Sequence, residues 1–347
     1  MRPLTKAVGI AALILAPIAG MAASQTETNS NAEQQWHQGI FAGYQSLAAE
    51  AGDLSVAAAD YCTAPEQESR DALEEAWLNA FLAWQRVRYV DFGPVENDNL
   101  AWQFQFWPDP KNLIARKASY LLNSEDPISG EVIAESGVAV QGFPMLEYLL
   151  YDEPLNASDS ALPAEKTCGL LRAVASHIET NSQQLSDQCQ AFREDYLATE
   201  QYRDTTIRAG MAALEILEDR RLAQPMGLRG NGKRSVYAAD AWRSGRSLKT
   251  MEATIHGLEQ SFLPGLTQLL KESEQPQLGP RIENQFKDVL EHFPELHRPM
   301  TELLSNDDAF SLLQGFYVDV SQLTTLINDQ AAVELGVIRG FNSSDGD

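Results

Sequence analysis

The 347-residue chain is short of several things, and each shortage closes off a class of protein. It has five histidines and three cysteines, with no H-E-x-x-H and no paired C-x-x-C, so no zinc site of the usual spacing is written in it. Lysine and arginine number 26 against 49 acids, a net charge of −23. Such a chain repels phosphate backbones and anionic lipid, which argues against nucleic acid as a partner. After the first twenty residues no apolar run approaches about eighteen residues, so no integral membrane segment is expected there. Period-two alternation is almost missing, which argues against a sheet. There is no G-x-S-x-G elbow. The stretch "GLRGNGKR" fails as a phosphate-binding loop, because Arg234 stands where Ser or Thr must hold magnesium.

The start, "MRPLTKAVGIAALILAPIAGMAASQ", reads as a secretory signal. Arg2 and Lys6 are its basic end, Ala7 to Ala19 its apolar core, and small residues place cleavage near Ala22 or Ala23. Cleavage would leave 24 basic residues against 49 acidic ones, a net charge of −25. The expectation is a soluble periplasmic or secreted protein without a lipid anchor, since no cysteine follows the cut. In an oxidising compartment three cysteines predict one disulfide and one spare thiol. Cys168 and Cys189 share the helical stretch Glu165 to Phe192, roughly 30 Å apart at 1.5 Å per residue, beyond bonding reach. Cys62 and Cys168 both lie beside loops, so they are the expected pair.

What the chain has in abundance is helical periodicity. Trp36, Ile40, Phe41, Tyr44 and Leu47 make one apolar face, and Leu73, Trp77, Phe81, Trp84 and Val87 another. "TAPE" at Thr63 to Glu66 reads as a capping box before the second. Further helices are expected near 111–123, 131–152, 164–198, 203–223, 248–273, 280–304 and 308–335. The fold class is all-α, as two antiparallel helical bundles packed together over residues 24–200 and 201–347. "GFPMLEYL" (Gly142 to Leu149) aligns with "GMAALEIL" (Gly210 to Leu217), which suggests an internal duplication.

Two long stretches escape the periodicity, and such loops are commonly functional. Asp91 to Asn112 is rich in aromatics, with Trp107 ahead of an Asp109 set between two prolines. Gln224 to Ser247 carries Arg229, Lys233, Arg234, Arg243 and Arg246 with one acid, Asp240, and adds Tyr237, Trp242, Ser244 and Ser247. That patch either attracts an anion or pins the loop by pairing with the protein's own carboxylates. Glu252, His256 and Glu259 share a helix face, as a weak set of metal ligands or a solvated polar surface. In "GFPMLEYLL" an ionisable Glu147 stands in an apolar run and needs a partner if buried. Arg86, Arg88 and the Arg243–Arg246 loop with its serines are the available ones.

Taken in order, "FGPVENDNLAWQFQFWPDPK", "GFPMLEYLLYDEP", "LEDRRLAQPMG", "AWRSGRSLKTMEATIHGLEQSF" and "LGVIRGFNSSDGD" resemble the imelysin family, also called M75 peptidases, over nearly the whole mature chain. The resemblance implies a bacterial envelope protein of two helical bundles with a site between them, associated with iron acquisition. Its signature, G-x-H-x-x-E, is matched by Gly142 and Glu147, but Pro144 occupies the histidine position. Proline offers a metal nothing, so the half-site is broken and peptidase activity is not expected. The expected function is binding of a small ligand or metal ion, iron or another divalent metal, with other envelope iron-uptake proteins as partners. The ligand-binding candidates are Gly142, Glu147, Trp107, Asp109, Arg86, Tyr237, Arg243, Ser244, Arg246 and Ser247. A metallopeptidase with Glu147, His256 and Glu259 as recruited ligands, or a structural envelope partner, are the alternatives.

Overall fold

The computed structural model describes residues 19–338, with side chains described from residue 31. The expected leader, residues 1–23, lies largely outside the described residues. All regular structure among the described residues is helical. In chain order the principal helices are α1 (Ala19–Thr63), α2 (Gln67–Val87), α3 (Leu113–Asn123), α4 (Gly142–Tyr151) and α5 (Glu165–Ala191). They are followed by α6 (Gln201–Glu215), α7 (Ser247–Gly257), α8 (Leu263–Leu270), α9 (Leu278–Glu291) and α10 (Asp307–Thr324). α6, α7 and α10 each run on into a π-helical stretch, at Ile216–Ala223, Leu258–Phe262 and Thr325–Ala331.

The apolar spacing explains the packing. Leu73, Trp77, Phe81, Trp84 and Val87 are all buried on one face of α2. α1 packs against α2 and α5, and also against α6 and α8, while α2 lies on α7. The first helix therefore serves both halves of the sequence, and the buried apolar side chains from Ala32 to Val337 form one connected core. Cys62 and Cys168 are bonded, their Cα atoms 5.7 Å apart, which ties the end of α1 to the start of α5. Cys189 is the buried free thiol, and burial pushes its pKa up to about 12.

Three local expectations are corrected. The capping box forms three residues later than Thr63, from Glu66 to Ser69, because α1 runs through Thr63. Glu66 starts α2, its backbone N–H donating to Ser69 Oγ at 3.0 Å. The aromatic stretch Asp91 to Asn112 is partly helical, with a 3₁₀ turn at Gly93–Asn99 and a short helix at Leu100–Phe104. The helix expected over 131–152 is broken in two. Gly130–Glu135 and α4 are separated by a turn at Val138–Val140, which Gln141 secures by donating from Nε2 to Ile133 O at 2.8 Å. α4 then opens on Gly142 at φ +76°, a conformation glycine adopts without penalty. A side chain there would sit 2.2 Å from the Phe104 carbonyl oxygen. This start also explains Pro144, since in the first turn of a helix the missing N–H had no partner to lose.

Candidate functional site

A cavity of about 860 Å³ opens between residues 81–154 and residues 236–301. Its volume falls in the range of small-molecule sites, roughly 300–1,000 Å³. Six sequence candidates line it: Trp107, Asp109, Glu147, Tyr237, Arg243 and Ser244. Two loops and one helix bring them together. The proline-flanked loop ahead of α3 carries Trp107 and Asp109, α4 carries Glu147, and the loop ahead of α7 carries the other three.

Glu147 is only 4 % exposed, and its answer to burial is Ser244. The Ser244 backbone N–H and hydroxyl both donate to Glu147 Oε1, each at 2.9 Å. Ser244 has one hydroxyl proton for two acceptors, since Ala241 O also lies 3.1 Å from its Oγ. Burial raises the Glu147 pKa above the usual carboxylate value, against the opposing pull of the two Ser244 bonds and the Arg243 charge. The contact joins α4 to the loop ahead of α7 across 97 positions of sequence.

Arg243 is held in turn by Asp152, with Nε donating to Oδ2 at 3.0 Å, and by Asn112 Oδ1 at 3.2 Å. Its guanidinium lies 4.3 Å from the centre of the Trp242 ring, a cation–π geometry. Asp109 caps α3, accepting from Leu113 N at 2.7 Å and Ile114 N at 3.0 Å. Tyr237 is largely exposed at the mouth and packs edge-on to Trp242, ring centres 4.8 Å apart. The loop arginines pair with the protein's own acids: Arg229 with Asp219 and Arg234 with Asp307, besides Arg243 with Asp152. Of the two sequence readings of this patch, pinning the loop is the one the geometry displays.

Four candidates stand elsewhere. Gly142 is buried at the start of α4, behind the wall. Ser247 is fully buried and donates to Asp240 O at 2.6 Å, shaping the loop rather than facing the cavity. Arg246 is half-buried outside the lining. Arg86 is corrected: it points to solvent, because the turn of α2 that sends Trp84 and Gln85 inward sends the next residue out. Arg88 is the cation of that helix near the site, 5.6 Å from the centre of the Trp107 ring. Burial, with the Arg221 charge adding to it, lowers its pKa to about 10.

Asp240 and Gln105, which line the cavity, belong to a buried polar network that the sequence candidates omit. Asp240 and Arg221, each 2 % exposed, form an ion pair at 2.9 Å. Arg221 also donates to Thr254 Oγ1 at 2.8 Å, and Gln85 Nε2 donates to Gln105 Oε1 at 2.7 Å. Trp84 Nε1 donates to the same Gln105 oxygen at 3.1 Å. A signal for these residues existed. Gln85 falls four positions after Phe81, and Arg221 four after Leu217, so both are polar residues at apolar-face positions.

The metal suggested by the G-x-H-x-x-E pattern does not fit these residues. Pro144 supplies no ligand, and Glu147 Oε1 is engaged by Ser244. Among the described residues no three His, Cys, Asp or Glu side chains converge. His256 and Glu259 do not join Glu147: neither lines the cavity, and they lie against each other at 3.4 Å. Glu252 turns instead to His297, at 2.9 Å.

The family model described as imelysin, peptidase M75, matches residues 40–327, and the chain belongs to that family. A crystal structure of an imelysin-like protein from Psychrobacter arcticum superposes with a TM-score of 0.78 at 21 % identity, covering 91 % of this chain and 98 % of that one. An iron-regulated protein A precursor from Parabacteroides distasonis superposes with a TM-score of 0.70 at 14 % identity, covering 89 % and 95 %. At these identities the likeness concerns the fold. No curated protein matches the chain.

Proposed function

We propose that this protein is a ligand-binding component of the bacterial envelope linked to iron acquisition, without peptidase activity. The cavity walled by Glu147, Trp107, Tyr237 and Arg243 is the observation that carries the binding role. It combines a small-molecule volume, aromatic side chains and a few fixed polar groups, the composition of a ligand pocket. The iron link rests on family membership and on the name of the Parabacteroides neighbour. An exported location is supported by the disulfide and by the leader-like start, and no described helix is long and apolar enough to cross a membrane. The broken signature at Pro144 and the absence of three converging ligands among the described residues weigh against metallopeptidase chemistry.

Calorimetry of the purified protein against ferric and ferrous iron, zinc, haem and small anions tests the role. Saturable heat or a raised melting temperature with at least one is expected. No response to any of them contradicts the reading, and so does chelator-sensitive cleavage of a peptide substrate.

A further inference from the structure

We propose that the cavity takes a planar, conjugated organic chelate of a metal rather than a bare metal ion; the inference rests on the binding role above and narrows its ligand. The first observation is that the wall carboxylates are already committed. Asp109 accepts two backbone N–H groups of α3, Asp152 pairs with Arg243, Asp240 pairs with Arg221, and Glu147 accepts both donors of Ser244. The remaining one, Glu153, is exposed. A hard cation needs several free oxygens or nitrogens at once, and capturing one here would mean breaking a buried ion pair or a helix cap.

The second observation is what the wall does present. Phe106 and Trp107 face the cavity from the loop ahead of α3, and Tyr237 and Trp242 from the loop ahead of α7. Those are four aromatic side chains, two from each loop, bordering a space large enough for a ring system of several fused or linked rings. Trp242 is held in place by the Arg243 guanidinium, which also borders the cavity and is itself fixed by Asp152. Tyr237, exposed and edge-on to Trp242, stands at the entrance. Aromatic walls of fixed orientation recognise flat conjugated surfaces by offset stacking. A ligand that carries its metal inside its own donor set asks nothing of the committed carboxylates.

Two sources supply conjugated flat surfaces with the metal already held, a tetrapyrrole as one plane and a catecholate complex as separate flat rings around an octahedral metal. The full-length protein is titrated with haemin, ferric 2,3-dihydroxybenzoate, ferric and ferrous salts, and zinc, reading calorimetric stoichiometry and tryptophan quenching. One of the first two is expected to bind one per chain. Trp242→Ala should weaken it about tenfold, the size of a lost stacking partner, and Tyr237→Ala should weaken it less. Tyr120→Ala, on an exposed side chain outside the cavity, should change nothing. Stoichiometric binding of a bare ion with no planar probe bound overturns the inference and leaves the binding role standing. Planar binding indifferent to both Trp242→Ala and Tyr237→Ala also overturns it. Metal-free protoporphyrin binding as tightly as haemin keeps the planar class and breaks the link to iron. No binding of any probe takes down the proposed function itself.

Discussion

The two octapeptides "GFPMLEYL" and "GMAALEIL" share four letters, yet the molecule uses those letters differently. Gly142 begins a helix at positive φ against the Phe104 backbone, while Gly210 lies inside α6, where a Cβ would meet the Phe262 ring at 2.5 Å. Glu147 is buried and clasps a distant loop through Ser244; Glu215 is half-buried and accepts from the Asn328 side chain at 3.0 Å. Both helices face cavities, at positions that align: Pro144, Glu147 and Tyr151 line one, Ala212, Glu215 and Asp219 the other. The first cavity has aromatic walls with all its carboxylates but the exposed Glu153 engaged. The second, about 840 Å³, is lined by six carboxylates, Asp91, Glu96, Glu215, Glu218, Asp219 and Asp329, with Arg208 and Arg229 among them. The same sequence pattern thus specifies a helix facing a hollow, and the surroundings decide what the hollow is.

The comparison breaks most visibly at the glycines. Gly142→Ala should destabilise the protein by about 2–4 kcal/mol, combining a left-handed conformation with a backbone clash. Gly210→Ala should lose less, about 1–3 kcal/mol, because a ring can shift where a carbonyl cannot. Urea denaturation of both variants gives the ranking, and equal losses would mean that the two glycines do the same job.

The glutamates come next. Glu147→Ala leaves the Ser244 backbone N–H without its acceptor, while the hydroxyl keeps Ala241 O, an expected loss of about 1–3 kcal/mol. Glu215→Ala, in a half-buried position, should lose about 1 kcal/mol or less. Thermal melts separate the two, and a Glu215 variant as damaged as the Glu147 one would contradict the difference in roles.

The smallest effect is in pH dependence. The folded pKa of Glu147 lies above its ordinary 4.5. Its contribution to stability is therefore full below that pH and is lost as pH rises through the raised value. Glu147→Gln has no such loss, so the variant should gain on the wild type over an interval of rising pH that begins above 4.5. A stability difference constant over that interval would show that burial does not disfavour the ionised form.

How much of this could be read from the chain follows from distance along it. The helical class and the need of Glu147 for a partner rest on spacing and desolvation, which are local properties. The Cys62–Cys168 bond, 106 positions long, was legible because three cysteines leave few pairings and one helix keeps Cys168 from Cys189. Ser244 was among the named partners, but nothing in the sequence ranked it above the arginines. Arg86 was misplaced because two arginines two positions apart point to opposite sides of a helix, and only the inward phase of Trp84 decides between them. The Asp240–Arg221–Thr254 network went unread although Arg221 stood on an apolar stripe. The π-helical stretches are invisible in the pattern, because one extra residue per turn still leaves apolar residues about one turn apart. The second cavity is assembled from residues 91 to 329, separations at which a single sequence offers no pairing signal.

The central claim is that Glu147 holds the cavity wall and is not a metal ligand. Elemental analysis of the purified wild type and of Pro144→His, each dialysed against iron or zinc, tests it directly. The account predicts no stoichiometric metal in the wild type, and none gained by restoring the histidine while Ser244 occupies the carboxylate. One equivalent of metal in the wild type that Glu147→Gln removes would contradict it.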